Sequence, residues 1–297
     1  MHLCSLQVLI NGNQKIRQLA KQNKVDVQDM QQRYILEEFA RKISASKYRD
    51  SIILKGGFVV SALLGIDERK TRDIDFTFNS TIYDEKQIRG IIEEIIETDI
   101  QSFFEYELIS IKEEQVDDHY SGYSCFIDAV NNKTRLHLKL DISNNTLVYP
   151  RGIKTNLHSF IDEDIVLMTY SLENIIAEKY ETTMDRGEFN TRMRDLYDIH
   201  MLFVENHHLI DEELLAKTIV KVSIDRKTVN NLFIFDELLD DLVNSEIFIS
   251  EFNRFMKNNY VYKEYKLSDI VEAFKSINDI VQNSGLLDEL PFESNKE

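Results

Sequence analysis

A chain of 297 residues, 43% of them hydrophobic and with 17 Phe and 13 Tyr, can build one large or two modest cores, which excludes an intrinsically disordered protein. A formal net charge of −17 opposes any role that coats nucleic-acid backbones nonspecifically, although it leaves room for a local basic site or a basic partner. Two cysteines, Cys4 and Cys125, supply neither a disulfide framework nor metal-ligand spacing and point to free thiols in a reducing compartment.

Nine Gly and two Pro point to a helix-rich fold with few tight turns. No basic-then-apolar leader opens the chain. The best apolar run, Ile52 to Leu64, is split by Lys55, so no membrane association and a soluble cytoplasmic protein are expected.

The segment to about Arg49 carries Leu36, Phe39, Ala40 and Ile43 at helical spacing. Ser51 to Leu54 predicts a short buried strand, and Phe58 to Leu64 a short apolar helix ending at Gly65. Asp73 to Phe78 alternates as a strand. Ile88, Ile91, Ile92, Ile95 and Ile96 predict an amphipathic helix over Asp84 to Ile100. Three strand-like runs follow, Phe103 to Lys112, Tyr123 to Val130 and Arg135 to Ser143, the last two joined at Asn131-Asn132. After Pro150 and Gly152 the character changes, and from about Ser171 onward helical periodicity takes over, with helices predicted over 172–184, 193–207, 212–222, 229–243 and 267–281, the first capped by Ser171. The expectation is an α+β chain: an N-terminal helical segment (1–50) packed on the core, a mixed β-sheet domain with flanking helices (51–165), a helical domain (166–285) and an unstructured tail (286–297).

Two groups of residues carry chemistry. In the first, Lys55-Gly56-Gly57 leads into the short helix, and Thr71-Arg72-Asp73-Ile74-Asp75-Phe76 follows. Alternate strand residues share a face, so Asp73 and Asp75 present two carboxylates together while Ile74 and Phe76 face the core. Adjacent carboxylates repel unless a cation lies with them, which points to a hard divalent ion such as Mg²⁺ or Mn²⁺. A glycine turn before a helix offers backbone N–H groups to phosphate. Leu136 to Ile142 places His137, Lys139 and Asp141 on one strand face, making Asp141 a candidate third metal ligand. A solvated strand residue is the plain alternative for Asp141, and an ordinary surface position for Lys55. Arg69 and Thr71, just before the acid pair, are placed to orient the loop or donate to phosphate. Phosphoryl or nucleotidyl transfer is the chemistry these residues suit.

In the second group, Glu173 to Tyr180 is followed by Arg186 and by Arg192-Met193-Arg194-Asp195-Leu196-Tyr197-Asp198. Arg192, Asp195 and Asp198 recur every third residue along one helix side. A cationic cluster with Lys179 suits triphosphate binding, with Asp195 orienting a cation or acting as a base; an ion-pair network between two packed helices accounts for the same pattern. The tyrosines at 260, 262 and 265 are candidates for base stacking or for helix packing. The chain has no nucleophile elbow, P-loop ending or Gly-x-Gly-x-x-Gly.

In this order the two groups resemble the AbiEii/AbiGii toxin family of nucleotidyltransferases, related in fold to DNA polymerase β. The matching pattern is Lys-Gly-Gly and an apolar helix, Arg-x-Thr-x-Asp-Ile-Asp, a later acidic strand residue, Glu-x-x-x-x-Glu-Lys, and Arg-x-Arg-Asp-Leu-Tyr-Asp, spanning roughly residues 52–200. The resemblance implies transfer of a nucleotide from an NTP with Mg²⁺ or Mn²⁺, and a toxin acting opposite a cognate antitoxin in a toxin–antitoxin or phage-defence system. The acceptor it implies is the 3′ end of tRNA; a protein, a small molecule, or a non-catalytic binding role are the alternatives. By position, Gly56 and Gly57 would form the phosphate loop, Asp73 and Asp75 the metal pair, Lys179 a phosphate contact and Asp195 the second-motif acid. Arg69, Arg192, Arg194 and Asp198 would support them. Many relatives carry Thr or Ser directly after the glycine pair; this chain has Phe58, with Ser61 one helical turn on as a substitute hydroxyl.

Overall fold

A computed structural model describes residues 14–64, 71–79, 83–117, 120–132, 134–144, 147–161, 163–258 and 265–290. Two compact units emerge: the described residues up to 144 with Gly152–Tyr170, and Leu147–Arg151 with the described residues from Ser171 onward.

The first unit is built on a seven-stranded mixed sheet of order β3-β4-β5-β2-β1-β7-β6. Its strands are β1 (Ile52–Lys55), β2 (Asp73–Phe78), β3 (Glu105–Asp117), β4 (Tyr120–Asn131), β5 (Thr134–Ser143), β6 (Ile153–Leu157) and β7 (Ile165–Thr169). β3, β4 and β5 form the expected antiparallel meander. β5 pairs in parallel with β2, β2 antiparallel with β1, and β1 in parallel with β7. Ile52, Ile53 and Leu54 of β1 form a continuous buried apolar run, whereas β2 and β5 alternate and bury Ile74, Phe76, Leu140 and Ile142 on one face.

Helices cover this sheet. Residues 14–22 form α1, followed by α2 (Val27–Ala45), α3 (Gly56–Leu64) and α4 (Glu85–Glu97). The Asp26 side chain caps α2 by accepting from the Gln28 backbone N–H at 2.7 Å. Asp84 and Gln87 form a reciprocal capping box on α4, whose last carbonyls at Ile96 and Thr98 accept from Lys42 Nζ at 2.8 Å. Arg33 on α2 donates to Glu37 at 2.6 Å and to the Ser61 hydroxyl of α3 at 2.5 Å. Glu37 in turn accepts from Ser159 Oγ at 2.7 Å and from the Phe160 backbone N–H. This buried chain of polar bonds is fully occupied at Glu37 and ties α2 both to the glycine helix and to the β6–β7 connection.

The β6–β7 hairpin falls between Gly152 and Ser171, a stretch to which the sequence assigned no element. Each strand is only five residues long, too short for alternation to be distinctive, and β7 is defined by its pairing with β1.

The second unit contains α5 (Leu172–Arg186), α6 (Met193–Ile199), α7 (Glu212–Asp225), α8 (Phe235–Asn244), α9 (Glu246–Asn258) and α10 (Leu267–Asn283). Tyr180 of α5 stacks between Phe235 and Phe274, with ring centroids 6.1 and 5.3 Å away, at the centre of this core. The helix predicted over 193–207 ends at Ile199, continues as a π-helical stretch over His200–Glu205 and closes with a 3₁₀ turn at His207–Leu209. The buried residues Leu196, Ile199, Leu202 and Phe203 keep a helical rhythm across the change, which hides it from the sequence. The 229–243 prediction divides into a 3₁₀ turn, Val229–Leu232, and α8. α9, absent from the sequence prediction, buries Phe248 and Phe252. In the tail expected to be unstructured, Leu286–Glu289 form a 3₁₀ turn with Leu287 buried, and 291–297 lie outside the described residues.

Candidate active site

β1 passes straight into α3: Lys55 is the last strand residue and Gly56 the first helical one. Gly56 makes this turn at φ +66°, a left-handed conformation that a side chain disfavours. A Cβ at Gly56 would lie 2.2 Å from Asp75 Oδ2, so the missing side chain is what lets the turn meet the carboxylate. Antiparallel pairing sets Lys55 opposite Asp75. On the other side of β2, parallel pairing sets Asp75 opposite Asp141 and Asp73 opposite Lys139. Asp73, Asp75, Lys139 and Asp141 are all half-buried, while Ile74 and Phe76 are fully buried. The sheet therefore gathers the residues that the alternation alone placed on one face.

The bonding within this group separates its members. The Thr71 hydroxyl donates to Asp73 Oδ1 at 3.0 Å. Asp141 Oδ1 accepts from Ser124 Oγ at 2.6 Å and pairs with Lys139 Nζ at 2.8 Å. Desolvation works against the Lys139 charge, but the bond to Asp141 and the fields of Asp141, Glu114 and Asp73 outweigh it and raise its pKa. Among the described residues no three His, Cys, Asp or Glu side chains converge closely enough to hold a metal ion. Asp141, expected as a third ligand, is thus already balanced by Lys139, which the sequence placed on the same strand face without a role. Asp73 and Asp75 beside a turn without a Cβ remain the donors whose chemistry fits a hard cation carrying phosphate oxygens.

Other expected residues lie differently. Ser61 is fully buried and its hydroxyl is taken up by Arg33. Phe58 is buried as well, with the Arg33 guanidinium 5.5 Å from its ring centroid, so the residue after the glycine pair faces the core. Lys55 Nζ lies 5.6 Å from the Tyr170 ring centroid. Gly57 is buried within the first turn of α3, and Arg69 falls outside the described residues. Cys125 is a buried free thiol on β4, its pKa pushed up to about 12 by burial, and takes no part in the chemistry.

In the helical unit Lys179 of α5 reaches two carboxylates of α6, pairing with Asp195 and, at 2.9 Å, with Asp198. Asp198 is fully buried and the other two nearly so. Arg192 stands at the N-cap of α6 rather than within it, its backbone N–H donating to Asn190 Oδ1 at 3.0 Å, and both Arg192 and Arg194 are exposed. The row read as Arg192, Asp195 and Asp198 is thus a pair of aspartates on Lys179 preceded by an outward arginine. Tyr265 packs edge-on against Tyr197 and His200, which makes it a packing residue; 260 and 262 lie outside the described residues.

A glycine turn against an acid pair on a mixed sheet, followed in the chain by a helical lysine–aspartate group, is the arrangement of a nucleotidyltransferase. MenT4, a nucleotidyltransferase toxin from Mycobacterium tuberculosis H37Rv, shares the fold with a TM-score of 0.53 at 15% identity, over 91% of this chain and 97% of that one. JHP933 from Helicobacter pylori aligns over 88% and 96% respectively, at 17% identity and a TM-score of 0.45. No curated protein is significantly similar. The family model described as "Nucleotidyl transferase AbiEii toxin, Type IV TA system" matches residues 39–276, and the chain belongs to the AbiEii family. That match runs past the Arg192–Asp198 motif and through most of α10, so the helices in which the sequence offered no motif are part of the family pattern. The chain is a nucleotidyltransferase; enzymes of this class generally use an NTP and a divalent metal, and membership of a type IV toxin–antitoxin family implies an antitoxin partner. Among the described residues no helix is long and apolar enough to cross a membrane.

Proposed function

We propose that this protein is a metal-dependent toxin that transfers a nucleotide from an NTP to the 3′ end of a tRNA in the cytoplasm, within a toxin–antitoxin or phage-defence system. The observation that carries the reading is the approach of Gly56 to Asp75, which puts a phosphate-accepting turn and a cation-seeking carboxylate side by side. Asp73 and Asp75 would hold Mg²⁺ or Mn²⁺, with Thr71 orienting Asp73. The bound ion supplies charge neutralisation of the triphosphate and acidifies the attacking hydroxyl.

The other assignments follow from the bonding of each residue. Gly56 and Gly57 offer backbone N–H groups to phosphate, and Lys55, opposite Asp75, adds positive charge at the strand end. Asp141 keeps Lys139 near Asp73 and joins the metal only by exchanging that partner. Lys179 is assigned to a phosphate oxygen and Asp195 to orienting it, with Asp198 as the buried counter-charge. Arg192, Arg194 and Arg69 are assigned to triphosphate or acceptor contacts. Ser61 is left out, because its hydroxyl is committed to Arg33.

The test is a labelling reaction. Purified protein is incubated with Mg²⁺ and each α-labelled NTP, together with separate pools of RNA, protein and aminoglycoside. Label is expected in the tRNA fraction and nowhere else, and chelation is expected to abolish it. Asp75→Asn is expected to lower the rate about 100- to 1,000-fold, the range for removing a group that stabilises developing charge, while thermal unfolding stays close to wild type. Full labelling by Asp75→Asn, or label confined to protein or drug, sinks the reading.

A further inference from the structure

Where α5 passes into α6, residues 185–195 hold three arginines, Arg186, Arg192 and Arg194, beside three acids, Asp185, Glu188 and Asp195. Two of the acids are engaged: Ser245 Oγ donates to Glu188 Oε2 at 2.9 Å, and Lys179 pairs with Asp195. Arg192 and Arg194 are exposed, and among the described residues neither is paired with a carboxylate.

In the middle stands Phe189, 71% exposed, more than any other large apolar side chain among the described residues. A lone exposed apolar residue is ordinary on a loose loop, but this one is built to stay in place. Gly187 turns the chain at φ +50°, and the Asn190 N–H closes a 3₁₀ turn onto the Gly187 carbonyl at 3.0 Å. Glu188 on one side is tied to Ser245; Asn190 on the other is 1% exposed, its Oδ1 holding the Arg192 N–H. Both neighbours of Phe189 are anchored inward, which leaves the ring facing solvent, with the exposed Arg192 three residues on in the chain.

An aromatic face held in solvent, with exposed arginines following close by in the chain, is the chemistry that recognises single-stranded nucleic acid, the base stacking on the ring and the phosphates meeting the arginines. We infer that Phe189 is the stacking platform for an unpaired base of the RNA acceptor, with Arg192 and Arg194 contacting the flanking phosphates. This rests on the RNA-acceptor reading above and names the residues that would receive the strand.

The experiment measures binding apart from chemistry. Fluorescence anisotropy follows a 5′-fluorescein RNA hairpin with a single-stranded 3′ overhang, without NTP, titrated with wild type, Phe189→Ala and Phe189→Tyr. Phe189→Ala is expected to weaken binding about 5-fold or more, as for loss of one stacked base, and Phe189→Tyr to stay within about twofold of wild type. Circular dichroism and calorimetric NTP affinity are expected to be unchanged in Phe189→Ala, which separates lost stacking from lost folding. If wild type binds the hairpin and Phe189→Ala binds it equally, the stacking inference fails while the acceptor reading stands. If wild type neither binds the hairpin nor labels RNA, the acceptor reading fails and this inference with it. Weakened association of Phe189→Ala with the antitoxin at unchanged RNA affinity assigns the surface to a protein instead.

Discussion

Gly56 shows how much one missing carbon can decide. Its φ of +66° and the 2.2 Å from an added Cβ to Asp75 Oδ2 are separate reasons for glycine, one intrinsic to the backbone and one imposed by the neighbouring strand. Gly56→Ala is therefore expected to cost about 1–2 kcal/mol for the left-handed backbone alone. It is also expected to push the Asp75 carboxylate aside and lower labelling at least tenfold, since a misplacement of about 1 Å at such a centre costs up to 100-fold. Urea unfolding and the labelling assay read the two effects independently, and an alanine variant with full activity would show that Asp75 need not stay against the turn. Phe58 teaches the complementary lesson. From sequence it stood where a phosphate-binding hydroxyl was expected, but its ring is buried with Arg33 beside it. A residue's place in a motif does not say which way its side chain turns once the helix has been packed.

At the scale of elements, α5 and α6 are joined by a lysine shared between two carboxylates. Sequence spacing left two accounts of this group, catalytic or structural, and the burial of Asp198 shows that it is at least a structural bond. Removing one partner of a buried ion pair strands the other charge, so Lys179→Met is expected to destabilise the fold by about 3 kcal/mol or more as well as to lose activity. The double variant Lys179→Met/Asp198→Leu removes the fully buried stranded charge and leaves only the partly exposed Asp195. It is expected to recover most of the stability, measured by urea unfolding, and none of the labelling. Recovery of both would make the group structural only. The same scale explains the elements that the sequence left unassigned or misread. β6 and β7 are short and take their identity from pairing, and the π-helical stretch after Ile199 keeps the apolar rhythm of an ordinary helix.

Across the whole molecule, stability depends on carboxyl groups buried away from the site as well as those within it. Glu38 is buried, which raises its pKa against the bonds it accepts from Phe103 N–H at 2.5 Å, Tyr106 O–H at 2.8 Å and Phe104 N–H. Burial likewise raises Glu181 in the helical unit, against Arg226 and Thr228. A carboxyl with a raised folded-state pKa contributes stability that is complete below its unfolded pKa and is lost as pH rises through its folded pKa. Glu38→Gln stays neutral throughout. Unfolding free energies measured from pH 4 upward are therefore expected to shift in favour of Glu38→Gln as pH climbs just above the ordinary carboxylate range, each tenfold change in proton affinity being worth about 1.4 kcal/mol. A wild-type-to-variant difference that does not move with pH overturns the assignment.

What the sequence determined by itself is whatever depends on local order along the chain. Alternation put Asp73 and Asp75 on one face and Ile74 and Phe76 on the other. Helical spacing marked α4, α5, α7 and α10, and the order of the motifs pointed to the AbiEii family. What only the tertiary structure decided depends on partners distant in sequence. Strand register sets Asp75 against Gly56 and opposite Asp141, and brings Ser124 of β4 to donate to Asp141. Helix packing spends Ser61 on Arg33 and leaves Phe189 outside between two anchored neighbours. Periodicity fixes the face from which a side chain leaves its own element. It carries no information about which group from another element will be waiting there, because that is settled by burial and pairing summed over each unit.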